Sequence, residues 1–61
     1  MIAELTLADG NPITVNLANV ESFQPSDEQT LIVFVDGRRE TVQESYDQVA
    51  EFLNPARQAG D

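Results

Sequence analysis

The chain has 61 residues, eleven of them acidic against three arginines (Arg38, Arg39, Arg57) and no lysine, for a net charge of −8. With no cysteine and no histidine, it excludes disulfides, nucleophilic Cys or His catalysis, and the usual zinc ligand sets. So strong a negative balance also disfavours direct contact with nucleic acid or an anionic membrane, because both draw affinity from cations held against phosphate.

A chain of this length makes a single domain and buries only about 60% of the surface that its unfolded form exposes. Packing, or a partner chain, must supply the stability that disulfides or zinc give to other small domains. The N-terminus Met1-Ile2-Ala3-Glu4 lacks a basic and then apolar leader, and nowhere do about 18 apolar residues run together, so the expected location is the cytoplasm.

Ile2 to Leu7 alternates, with Ala3, Leu5 and Leu7 on one face and Glu4 and Thr6 on the other, which predicts a first strand buried on one side. Asp9-Gly10 then reads as a two-residue hairpin turn, whose central residues both need positive φ, a conformation that Gly adopts freely and Asp tolerates. Pro12 cannot donate to a ladder, so it belongs at the start of the second strand, which runs from about Ile13 to Leu17 with Ile13 and Val15 inward. A corner at Asn16 to Asn19 leads to a short third strand, Val20 to Phe23, followed by a polar loop over Gln24-Pro25-Ser26-Asp27-Glu28-Gln29.

The fourth strand, Thr30 to Val35, has Leu31, Val33 and Val35 on one face and Ile32 and Phe34 on the other, so neither face is polar. Such a strand requires cover on both sides. The cover can come from the sheet curling into a barrel, from the helix, or from a second copy of the chain. Asp36-Gly37 repeats the first turn, because Leu7-Ala8-Asp9-Gly10 returns as Phe34-Val35-Asp36-Gly37, and a fifth strand follows from Arg39 to Gln43.

Ser45-Tyr46-Asp47-Gln48 has the form of a capping box, and Tyr46, Val49, Ala50 and Leu53 fall at helical spacing on one stripe. Asn54-Pro55 ends this short helix. The predicted domain spans 1–54, with a disordered tail over 55–61.

Catalysis finds no footing in this pattern. Glu44, Asp47 and Glu51 gather on the helix face opposite the stripe, but a solvated face cannot raise a carboxyl pKa as general acid catalysis requires. Asp27 and Glu28 match no calcium loop, so neither metal nor cofactor is expected. Phe52 sits at the margin of the stripe, where with Phe23 it reads either as ordinary core packing or as an exposed aromatic anchor of the sort that dominates interface energy, whereas Tyr46 and Phe34 read as core. Arg38 and Arg39 read as protection for a hairpin edge.

Taken in order, Leu7, Asp9-Gly10, Asn16-Leu17, Val20-Glu21-Ser22-Phe23, Thr30-Leu31-Ile32, Asp36-Gly37-Arg38 and Val42-Gln43-Glu44-Ser45 resemble the FlbD-type family of small bacterial flagellar and swarming motility proteins. The resemblance covers residues 1–53 and implies a motility-related role. The chain departs from the family where Asn11 and Arg38 stand in place of a lysine after each turn glycine, and in its far more negative charge.

The sequence thus predicts an α+β domain with a small, curved, barrel-like sheet of five mainly antiparallel strands, built from two Asp-Gly hairpins and closed by a C-terminal helix. It predicts a non-enzymatic protein-interaction or regulatory module whose contact residues are Phe23, Leu31, Val33, Val35 and Phe52, with the acidic Glu44, Asp47 and Glu51 available to a basic partner. Homodimerisation is one form of that contact. The competing expectation is an acidic phage-type inhibitor or nucleic-acid mimic that occupies a basic groove on a host protein.

Overall fold

The computed structural model describes residues 2–53; the tail expected over 55–61 and the side-chain role expected for Leu53 fall outside it. In chain order come β1 (Ile2–Thr6), β2 (Pro12–Asn16), a 3-10 turn (Leu17–Asn19), β3 (Val20–Ser26), β4 (Gln29–Phe34), β5 (Arg39–Val42) and α1 (Tyr46–Leu53).

β1 and β2 form an antiparallel hairpin in the register Ala3 to Val15 and Leu5 to Ile13. Alternation works as the pattern requires: Ala3, Leu5 and Val15 are buried, while Glu4, Thr14 and Asn16 face water. Pro12 opens β2, where its missing N–H removes no bond from the interior of a ladder.

The two Asp-Gly turns are alike, but neither is the two-residue turn expected. Gly10 N–H donates to the Leu7 carbonyl at 2.9 Å and Leu7 N–H to the Asn11 carbonyl at 2.7 Å; Gly37 N–H donates to Phe34 at 2.9 Å and Phe34 N–H to Arg38 at 2.8 Å. Gly10 and Gly37 take φ of +96° and +92°, whereas Asp9 and Asp36 keep negative φ. This is a type I turn followed by a glycine bulge, the usual three-residue hairpin loop. The aspartates act through their carboxylates instead, each Oδ1 accepting from the N–H two residues on, at Asn11 and Arg38, at 2.9 Å. One consequence is that Val35 is a turn residue, the counterpart of Ala8, and not the end of a strand.

A third hairpin lies where a loop was expected. β3 runs to Ser26, which pairs with Gln29, so Asp27-Glu28 is the whole connection, with Asp27 at φ +56°. Asp enters this left-handed region at lower cost than most residues. Pro25 is accommodated because β3 is the edge of its sheet.

Among the described residues the single five-stranded barrel-like sheet is therefore replaced by two sheets, β1-β2 and β3-β4-β5, and no barrel closes among them. The reason is strand length. β1 ends at Thr6 and β5 at Val42, so these neighbours share only the Leu7–Val42 bridge, flanked by Ala8 N–H to Thr41 carbonyl at 3.0 Å and Gln43 N–H to Thr6 carbonyl at 2.7 Å. On the other side the 3-10 turn separates β2 from β3, and Val35 N–H to the Asn19 carbonyl at 2.8 Å continues the β3–β4 pairing one step beyond Val20–Phe34.

Thr30, Ile32 and Phe34 of β4 point into the core with Leu5, Val15, Val42 and Val49. Burying each of the large aliphatics contributes about 1.5–3 kcal/mol. The helix begins as the capping box requires, with Ser45 N–H donating to Gln48 Oε1 at 3.0 Å and Gln48 N–H to Ser45 Oγ at 3.3 Å. It docks through Val49 and Ala50. An eight-residue helix is unstable alone in water, so that contact is what keeps it folded.

A Cβ on Gly37 would meet nothing within 4 Å, so any cost of adding one comes from the positive φ alone. Gly37→Ala is expected to lower stability by about 1 kcal/mol, and Gly37→Asn by less. Urea unfolding checks this, and an unshifted midpoint for the alanine variant contradicts the turn assignment.

Candidate functional site

β4 separates two surfaces. Its inner residues are covered by the helix and the β1-β2 hairpin, while Leu31 and Val33 lie on the outer face. In register, Leu31 sits between Gln24 and Thr41, and Val33 between Ser22 and Arg39. Two aliphatic side chains thus occupy the centre of an otherwise polar face, each half-buried. Val35, 63% exposed, projects from the turn at the end of the same strand.

A second feature arises from a bulge. Between the pairs Val20–Phe34 and Ser22–Val33, β3 has an extra residue, Glu21. The extra residue shifts the alternation, so Val20 and Phe23, three apart, both turn toward the core. Glu21 is pushed outward. Beside it opens a cleft of about 310 Å³ lined by Leu17, Val20, Glu21, Ser22, Phe23 and Tyr46. The Phe23 and Tyr46 rings meet there, their centroids 5.3 Å apart and their planes inclined at 36°.

Tyr46 is 38% exposed and lines this cleft, so the ring against Phe23 is Tyr46, where the sequence suggested Phe52 and put Tyr46 in the core. Phe52 is 49% exposed on the helix. Tyr46, Leu17 and Glu21 went unrecognised as surface residues of one site. The legible signal was the spacing of Val20 and Phe23, which breaks strand alternation and so betrays a bulge.

The acidic set separates as well. Asp47 and Glu51 are exposed on the helix, but Glu44 precedes it, and its Oε1 accepts from Thr6 N–H at 2.9 Å. The Glu44 carbonyl accepts from the fully buried Thr30 hydroxyl at 2.8 Å. One residue thereby joins β1, β4 and the entry to the helix. Among the described residues, no three His, Cys, Asp or Glu side chains converge to hold a metal. No helix among them is long and apolar enough to cross a membrane.

Arg38 is held from two sides. Its Nε donates to Asp36 Oδ2 at 2.9 Å, and its guanidinium carbon lies 5.0 Å from the Phe34 ring centroid. The Arg38 backbone N–H, with the guanidinium charge adding to it, lowers the Asp36 pKa below its ordinary value.

The chain matches no protein-family model, no curated protein and no solved structure.

Thr30→Val leaves the Glu44 carbonyl without its donor and is expected to cost about 2 kcal/mol, whereas Thr30→Ser, which keeps the bond and loses a methyl, costs about 1 kcal/mol. Equal unfolding midpoints for the two variants would remove the hydroxyl from this account.

Asp36 gives a pH-dependent prediction. Its folded pKa lies below the unfolded value of about 3.9, so its contribution is present above that pH and is lost as pH falls through the folded pKa. The native protein should therefore lose more stability than Asp36→Asn between pH about 5 and 2, and parallel denaturation curves would contradict this.

Proposed function

We propose that the protein is a non-enzymatic interaction module of the cytoplasm that binds a protein partner through the outer face of β4. One observation carries this reading: Leu31 and Val33 stand side by side on the outer face of the sheet, outside the core cluster and half-buried. An aliphatic pair ringed by Gln24, Ser22, Thr41 and Arg39 has the anatomy of a small interface, an apolar centre within a polar rim. Val35 extends the apolar surface past the turn, and Phe52 and the helix carboxylates Asp47 and Glu51 offer a second point of contact. A copy of the same chain is one partner that fits, and the resemblance to motility proteins gives the regulatory form of the role.

The rival reading, an acidic mimic on a basic host groove, draws on the charge of −8. It is less supported, because Glu44 and Asp36 spend their carboxylates on internal bonds. Salt separates the two: a charge-driven contact weakens steeply as ionic strength rises, and an apolar one hardly responds.

A photoreactive residue placed at position 33 in the native host should crosslink one defined polypeptide, either a host protein or a second copy. Leu31→Asp should abolish that product while leaving the melting temperature within a few degrees. Product at position 33 no more selective than product from a probe at position 14, on the exposed side of β2, would overturn the proposal.

A further inference from the structure

We propose that the cleft between β3 and the start of α1 receives the side chain of an arginine from a partner polypeptide. The molecule already shows how it holds such a group. Arg38 is bonded at 2.9 Å to the Asp36 carboxylate and lies 5.0 Å from the Phe34 ring centroid, so one carboxylate and one aromatic face capture a guanidinium together. The cleft brings together the same two kinds of group. Phe23 and Tyr46 supply the rings, and Glu21 supplies the carboxylate, turned outward by the bulge at the rim of the same hollow.

Among the described residues no cation is paired with Glu21. Leu17 and Val20 give the lining an apolar stretch against which the methylene stem of a long cationic side chain can lie. Charge complementarity fixes the sign of the occupant, since a chain of net charge −8 attracts basic segments and repels acidic ones. The planar guanidinium suits the paired rings better than a strongly hydrated ammonium does, because it stacks on aromatic faces and loses less on leaving water.

This site deepens the reading of the protein as a binding module, yet it uses a different surface from the outer face of β4, so either can fail alone. The test is an amide NMR titration of the intact protein with a capped Ala-Arg-Ala-Ala peptide and a capped all-alanine peptide as control. The arginine peptide should give saturable shifts centred on Val20 to Phe23 and Tyr46 and unaffected by Leu31→Asp. Glu21→Gln, at an exposed position, should weaken binding about threefold. Tyr46→Ala should weaken it by a similar factor, with Tyr46→Phe retaining it. Absence of saturation, equal shifts from the alanine peptide, or an affinity indifferent to Glu21→Gln would overturn the proposal. A result unchanged by Leu31→Asp, beside loss of the position-33 crosslink, would show that the two surfaces act separately.

Discussion

The fold depends on a short seam where the end of β1 meets the end of β5. Two backbone bonds, Ala8 to Thr41 and Gln43 to Thr6, frame the Leu7–Val42 bridge and join the two sheets among the described residues, beside the Gln43 side-chain bond to the Ala8 carbonyl and the apolar side chains of the shared core. Glu44 reinforces the seam by accepting from Thr6 with its carboxylate and from Thr30 with its carbonyl. The seam sets Leu5 and Val15 over Ile32 and Val42, and it starts the helix at the point where Val49 can enter the same core. In a chain this small, where stability is a narrow margin between large opposing terms, those few bonds orient most of the apolar surface that is buried.

That arrangement explains the two faces of β4. Thr30, Ile32 and Phe34 are sealed because the hairpin and the helix both arrive on their side, and Leu31 and Val33 stay half-buried on the outer face. A barrel would have brought further strands around to curve over the core. It does not close because Leu7, the residue bridged to Val42 of β5, is already the first residue of the Asp9-Gly10 turn, so the contact along β5 goes no further. The feature that makes the first hairpin tight is thus the one that limits the seam.

Much of the local structure was legible because local chemistry decides it. The alternation of Ala3 and Leu5, the capping box at Ser45 and Gln48, and the helical step from Val49 to Ala50 all depend on residues within a turn or two of one another. The turns were legible as turns but not by type: the two-residue form requires positive φ at Asp9 and Asp36, and those aspartates keep the ordinary sign by using their carboxylates to hold the chain after the glycine. Gln24 to Gln29 was misread because proline and a polar run suggest a loop, whereas on an edge strand Pro25 sacrifices no ladder bond. What the sequence could not show was the place of Glu44 and Tyr46. Glu44 is bonded to Thr6, distant in the chain, and Tyr46 meets Phe23 across the contact between helix and sheet; both are long-range results of the assembled fold.

The same bulge links architecture to recognition. Insertion of Glu21 turns two apolar residues, Val20 and Phe23, to one side and leaves a carboxylate at the border of the hollow they help to line. An edge strand with a bulge is also a poor template for another strand, because the extra residue breaks the register that continuous pairing needs. β3 is therefore better suited to presenting side chains than to adding a strand from a partner, and the recognition proposed at this edge would use rings and a carboxylate in place of backbone bonds. On the outer face of β4 the centre is aliphatic, formed by Leu31 and Val33. Two unlike exposed surfaces on one small domain are the physical basis of the proposal that it joins other chains, since each would be filled by a different chemistry.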